Sequence, residues 1–196
     1  ALFVAQNGKL CGGDNFPYPF RIKTLQPNYR EFDDSRHFFS AKKLAQEANQ
    51  KIEDFLTPVN IELNGKPLSL ACILCEDGWD EDYSVKPTQI LQANGKIDLI
   101  INASSSPFTL GKNNKRNRVF SQQAAALSTP LIYANNIGLQ NIGKTDYAFD
   151  GYSAVYSATG EIIAQCQPFD DELLTLNLPI RESTTLKTCE PIADNS

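Results

Sequence analysis

The segment from Val59 to Cys75 constrains the fold of this chain more than any other. Val59 to Leu63 and Pro67 to Cys75 read as extended runs, and Asn64-Gly65 stands between them. Asn-Gly is the strongest short hairpin signal, because both residues accept the positive φ that a tight two-residue turn demands. The second arm is nearly all apolar. A strand with one wet face would alternate polar and apolar side chains, so this one belongs at the centre of a sheet covered on both faces. Leu70 to Cys75 is also the longest apolar run in the sequence. It is far shorter than the roughly 20 residues a bilayer span needs, so a membrane-spanning helix is excluded.

The remaining patterns surround this hairpin with strands and helices in alternation. Leu2 to Ala5, the turn Asn7-Gly8 and Lys9 to Cys11 predict a first hairpin, followed by a Gly/Pro loop from Gly12 to Pro19. Phe20 to Leu25 alternates and predicts a strand ended by Pro27-Asn28. Helical spacing of Leu44, Ala45, Ala48, Ile52 and Phe55 predicts one long element over Ser40 to Phe55. Helices are further expected over Pro87 to Asn94 and Lys115 to Ser128, and buried strands over Asp98 to Asn102 and Pro130 to Asn135. Ser153 to Tyr156 and Glu161 to Cys166 flank Thr159-Gly160 as another hairpin, and Leu173 to Leu178 is a last strand. Strands alternating with helices indicate an α/β protein, and the hairpins make its sheets mixed. Residues 1–180 form one domain on this reading, and 181–196 form a polar tail or linker.

Charge and cysteine content narrow the function. Lys and Arg total 18 against 23 Asp and Glu, a net charge of −5, where a nucleic-acid binder would carry a basic stripe. Five cysteines at irregular spacing form no paired Cys-x-x-Cys set, and there is one histidine, so no metal site is expected. Cys72 and Cys75 lie inside an apolar strand and not at a helix start, which argues against a redox dithiol. No basic segment followed by an apolar stretch opens the chain, and a reduced, cytoplasmic setting is expected. The sequence contains no methionine and its first residues already read as a strand. An interior piece of a longer protein is therefore expected.

Cys75 stands where an apolar strand gives way abruptly to Glu76-Asp77-Gly78-Trp79-Asp80. Taken singly, a cysteine there is more often an inert core residue. At a strand end before a turn, however, its sulfur can reach the sheet rim beside backbone N–H groups, which lower a thiol pKa and stabilise an oxyanion. His37 sits in Arg36-His37-Phe38-Phe39 and suits packing or the surface better than the role of a base. A lysine that shares the charge, with a carboxylate that moves the proton, is the alternative. Lys23, ahead of Pro27, is a candidate for the first.

Two runs carry a resemblance. Lys23-Thr24-Leu25-Gln26-Pro27-Asn28-Tyr29-Arg30-Glu31-Phe32-Asp33-Asp34 and Leu74-Cys75-Glu76-Asp77-Gly78-Trp79 resemble the nitrilase (carbon–nitrogen hydrolase) superfamily, which uses a Glu–Lys–Cys triad. Three further runs make the chain similar, within that superfamily, to the glutaminase domains of glutamine-dependent NAD synthetases. They are Asn102 to Lys112, Tyr133 to Gln140 and Phe149 to Ser153. The resemblance implies a four-layer α-β-β-α sandwich, incomplete at the N-terminus. It implies Cys75 as the nucleophile that forms a thioester with glutamine, Lys23 as the lysine beside it and Glu31 as an auxiliary glutamate. Tyr29, Glu76, Ser106 and Lys112 fall at positions that surround the glutamine. The charges agree, since a carboxylate suits an ammonium and a lysine suits a carboxylate.

The same resemblance implies what lies outside the chain. The family's general-base glutamate precedes the lysine, but no glutamate stands among residues 1–22, where Asp14 is the one carboxylate. Little or no glutaminase activity is therefore expected of this chain alone. Ammonia would pass to a following synthetase domain, and ATP and Mg are expected only there, because no Ser-Gly-Gly-x-Asp-Ser loop occurs in this sequence. This chain itself is expected to hold no cofactor. Association into a homo-oligomer follows from the resemblance as well. The rival readings are another amide or nitrile hydrolase of the superfamily and a non-catalytic assembly module.

Overall fold

The computed structural model describes residues 1–12, 19–29, 32–141, 143 and 145–180. Most of the expected Gly12–Pro19 loop, together with Asp14, Glu31 and the 181–196 tail, lies outside the described residues.

A six-stranded mixed sheet forms the centre. The hairpin pairs β3 (Val59–Leu63) with β4 (Lys66–Leu74) in antiparallel register, Val59 opposite Leu70. Beside it lie β5 (Leu99–Ser104) and β6 (Leu131–Asn135), both parallel to β4. Then β9 (Ala154–Tyr156) and β10 (Ile162–Gln165) close the other side, both antiparallel to their neighbours, giving the order β10-β9-β6-β5-β4-β3. Parallel neighbours require crossovers. These are supplied by α4 (Pro87–Asn94) between β4 and β5 and by α5 (Lys112–Leu127) between β5 and β6. Two-stranded ribbons stand apart: β1 (Val4–Gln6) with β2 (Lys9–Cys11), and β7 (Ile137–Asn141) with β8 (Asp146–Asp150).

Side-chain alternation along the strands produces two cores. Ala71, Ile73, Ile100, Leu131, Tyr133 and Tyr156 face the helices, against Leu91, Val119, Phe120, Ala124 and Leu127. Val59, Leu68, Leu70, Cys72 and Leu99 face the other way, towards Leu2, Val4 and Cys11 of the first ribbon and towards Leu178 and Ile180. The central strands are buried on both faces, as their composition demands. Each fully buried Leu, Ile or Phe contributes on the order of 1.5–3 kcal/mol. This is the expected mixed α/β class, with helices on one face of a sheet and β structure on the other.

Three expected elements differ. Phe20 to Leu25 is not a strand; after the isolated Leu2–Arg21 bridge its backbone bonds to non-sheet partners, Lys23 O accepting from Ala41 N at 2.9 Å. The Ser40–Phe55 element is broken into α2 (Ala41–Glu47) and α3 (Ile52–Phe55). Ser40 Oγ caps α2 by accepting from Lys43 N, and Asn49 at φ 53° ends it in the left-handed conformation that stops helices. Leu173 to Leu178 forms no ladder, and its alternation instead sends Leu178 to the sheet face while Leu173 is exposed. The β7–β8 ribbon and a short helix, α1 (Asp34–His37), were not foreseen.

Candidate active site

Strand β4 ends at Leu74, and Cys75 opens a single 3-10 turn, Cys75–Gly78, with φ 45°. A non-glycine residue in this region stores about 1–2 kcal/mol of strain, held here by the packing around it. Asn102 Nδ2 on β5 donates to Cys75 O at 3.4 Å. Gly78 is required by space: a Cβ there would lie 2.4 Å from Asn102 Nδ2 and 2.6 Å from Phe120 Cε1. Trp79 then packs edge-on against Phe120. The abrupt change from apolar strand to acidic turn is thus a chain reversal that leaves Cys75 at the rim of the sheet.

Lys23 arrives from the irregular segment after Arg21. Its Nζ donates to Asp34 Oδ2 on α1 at 2.5 Å, a charge-assisted bond in which both side chains are largely shielded. Asp77 ties this segment to the turn. Its Oδ1 accepts from Thr24 N at 2.9 Å and Leu25 N at 2.7 Å, and its Oδ2 accepts from Leu74 N at 3.1 Å. Burial pushes the Asp77 carboxyl up to about 7, against the pull of the three N–H donors and of Lys23.

Opposing influences act on the Cys75 thiol. Burial raises its pKa most; the Lys23 ammonium lowers it, as do the Ser105 backbone N–H and the Ser104 hydroxyl, while Glu76 raises it. A buried thiol beside a cation, at a turn with N–H donors, can become a nucleophile whose charged states are compensated locally. Cys72 differs. It points to the opposite core near Arg21, and burial pushes its thiol up to about 11. Cys11, Cys72, Cys75 and Cys166 are all free thiols.

Around the pair lies one cavity of about 1200 Å³. Lys23, Tyr29, Cys75, Glu76, Ser106 and Lys112 all line it, so six of the seven site residues expected from sequence converge. The seventh, Glu31, lies outside the described residues. Glu76 is buried, and two phenols hold its carboxylate: Tyr83 at 2.8 Å to Oε1, and Tyr29 at 3.0 Å to Oε1 and 3.2 Å to Oε2. Lys112, at the start of α5, donates to Pro107 O at 2.8 Å and lies over the Trp79 ring at 6.0 Å. Burial lowers its pKa first, and Arg116 adds to that, while Cys75, Asp150 and Glu76 oppose it.

Ser106 is held by Asn135, whose Oδ1 accepts from Ser106 N at 2.8 Å and whose Nδ2 donates to Gly151 O at 2.9 Å. Behind it, Arg116 and Asp150 form a fully buried bidentate pair at 3.1 and 3.3 Å, with the guanidinium over the Tyr133 ring. His37 is exposed on α1, beside Phe38. Asp34, Tyr83, Asp77 and Asn135 were missed in the sequence. Asp34 follows a second aspartate in a run already singled out, and a carboxylate after a lysine was the available signal. For Tyr83 and Asn135 no local signal exists, because their partners are remote in sequence.

Comparison with known proteins adds to this geometry. The family model for carbon-nitrogen hydrolases matches residues 80–187, so it covers Ser106 and Lys112 and begins just past Cys75. The glutamine-dependent NAD(+) synthetase of Synechocystis sp. is 32% identical over 162 residues, spanning 79% of this chain and 25% of the relative. That of Thermotoga maritima is 30% identical over 191 residues, 97% of this chain and 28% of the relative. The chain thus spans about a quarter of the length of these curated relatives. Among solved structures, a glutamine-dependent NAD+ synthetase from Acinetobacter baumannii superposes with a TM-score of 0.58 at 26% identity, over 85% of this chain and 28% of that one. A carbon-nitrogen hydrolase from Helicobacter pylori G27 has a TM-score of 0.63 at 19% identity, over 84% and 51% of the two chains, which establishes the shared fold.

Proposed function

This chain belongs to the carbon-nitrogen hydrolase family, and we propose that within it the chain acts as a glutamine amidohydrolase whose nucleophile is Cys75. The thiol gives up its proton and its sulfur attacks the side-chain carboxamide carbon of glutamine; that proton is returned to the amide nitrogen as the C–N bond breaks, so ammonia leaves, and water hydrolyses the resulting thioester to glutamate and restores the thiol. Lys23, anchored by Asp34, compensates the charge of the thiolate and of the tetrahedral oxyanion, together with a backbone N–H beside the nucleophile. Glu76, fixed by Tyr29 and Tyr83, takes the α-ammonium, and Lys112 with Ser106 takes the α-carboxylate. Glu31 keeps its auxiliary role in this reading.

The observation that carries the reading is the charge layout of one cavity. A held carboxylate (Glu76) and a partly buried cation (Lys112) line the same space as the Cys75–Lys23 pair. A zwitterionic amino acid with a reactive side-chain amide matches those three features, whereas a plain nitrile leaves Glu76 and Lys112 without a purpose. The names of the relatives favour glutamine. By the same likeness, ammonia made here would be used by a synthetase part of a longer protein, and ATP and Mg would belong to that part. Association of copies belongs to the same proposal. Among the described residues, the carboxyl groups beside the pair are all engaged, Asp34 by Lys23, Glu76 by two phenols and Asp77 by three backbone N–H groups. None of these three readily takes the thiol proton, so turnover by this chain alone is slow.

The test is labelling with a thiol-reactive glutamine analogue, mapped by peptide mass. Stoichiometric modification of Cys75 and of no other cysteine is expected, with protection by glutamine and none by simple amides. Labelling indifferent to glutamine ends the glutaminase reading. Ammonia release from glutamine as fast as that of a full-length relative ends the claim of slow turnover.

A further inference from the structure

Lys23 and Cys75 lie 52 positions apart in sequence, on segments that share no strand pairing. What joins them is a side chain assigned no role above in the chemistry. Asp77 is buried, and its oxygens accept from the two amides directly after Lys23 (Thr24 and Leu25) and from the amide directly before Cys75 (Leu74). We infer that Asp77 is a positioning residue: its carboxyl group clamps the Lys23 segment to the Cys75 turn and so fixes the cation against the sulfur. The inference rests on reading Cys75 and Lys23 as a functional pair.

The physical case is one of geometry. The Lys23 segment has no ladder to hold it in register, since beyond the Leu2–Arg21 bridge its backbone meets no strand. An irregular segment keeps its place only if its buried N–H groups find acceptors. Asp77 supplies two of these acceptors and takes its third bond from the strand that carries Cys75. A carboxyl group suits this task because both of its oxygens accept: Oδ1 takes Thr24 N and Leu25 N, and Oδ2 keeps a lone pair for Leu74 N whether or not it carries the proton. An amide in its place would set an –NH2 against a backbone N–H in either orientation. The clamp therefore acts on the distance between ammonium and thiolate, on which their attraction depends.

The test reads the thiol directly and needs no substrate. The rate of iodoacetamide alkylation at Cys75 is followed against pH by peptide mass in the unsubstituted chain, Lys23→Met, Asp77→Asn and the double variant. Among the described residues, Lys23, Glu76, Lys112 and the Tyr133 phenol act electrostatically on the sulfur, and Lys23 is the cation that lowers its pKa most, so loss of this lysine raises the apparent thiol pKa. A rise of about one unit is expected in each single variant, a tenfold loss of thiolate at a pH below the midpoint. The double variant should rise no further than the larger single one, because both substitutions remove the same contact. An unmoved midpoint in folded Asp77→Asn overturns the inference, as do shifts that add in the double variant. Should Asp77→Asn not fold, hydrogen exchange in the unsubstituted chain decides. Slow exchange of the Thr24, Leu25 and Leu74 amides supports the clamp, and exchange at free-peptide rates ends it. A glutamine analogue that fails to label while the cycle behaves as described defeats the glutaminase reading and leaves the clamp standing.

Discussion

Replacing Asp150 by alanine tests how the cavity wall is built. Arg116 and Asp150 have side chains 0% and 1% exposed, and two parallel contacts join them at 3.1 and 3.3 Å. At an effective dielectric of about 20, unit charges at this separation attract by about 5 kcal/mol, which offsets the cost of burying both. Asp150→Ala removes the offset and leaves the cost. The guanidinium would keep Asn113 Oδ1 at 3.2 Å and the Tyr133 ring face, neither of which carries a charge. Stranding one partner of a buried pair costs about 3–5 kcal/mol. For a chain of this length that lowers the melting temperature by roughly 6–20 °C. Arg116→Met combined with Asp150→Ala should be more stable than Asp150→Ala alone, because no buried charge then remains. Thermal melts followed by circular dichroism give both numbers. A fall of under about 2 °C in the single variant, or a double variant less stable than the single one, would falsify the reasoning.

Other perturbations follow from the same contacts. Gly78→Ala places a methyl group 2.4 Å from Asn102 Nδ2, and overpacking of this kind costs about 1–3 kcal/mol; an unchanged melting temperature would contradict the close approach. Asp77 has a carboxyl raised by burial to about 7, so the folded state holds its proton more tightly than the unfolded chain does. Its contribution to stability is full below the ordinary carboxylate range and is lost as pH rises through 7, with a slope of at most about 1.4 kcal/mol per pH unit. Melts of the unsubstituted chain and Asp77→Asn between pH 4 and 8 should therefore draw together as pH increases, and a widening gap would have the wrong sign. Lys112→Met should weaken glutamine protection of Cys75 about tenfold or more, since a charge-assisted bond contributes roughly 1.5–3 kcal/mol. Equal protection in both forms would remove Lys112 from the binding of the carboxylate.

Much of the fold is legible in the sequence because it is encoded locally. Asn64-Gly65 fixes a turn, an uninterrupted apolar run fixes a strand covered on both faces, and period-3.6 spacing fixes α4 and α5. Each of these signals lies within one window of chain. The same locality explains the errors. Phe20 to Leu25 alternates like a strand, yet its Thr24 and Leu25 amides are satisfied by Asp77, a residue more than fifty positions away that no local window contains. Leu173 to Leu178 alternates for packing and not for pairing.

At the site, the runs that carry the resemblance pointed to Cys75, Lys23, Tyr29, Glu76, Ser106 and Lys112, which all line one cavity. Which carboxylate holds the lysine could not be read that way. The fold sets α1 beside the segment after Arg21 so that Asp34 makes the bond to Lys23. Sequence by itself thus determined the strands, the turns and the chemical types available. Only the tertiary structure decided which charges lie within bonding distance, because burial strengthens an electrostatic contact only where remote segments are brought together and water is excluded.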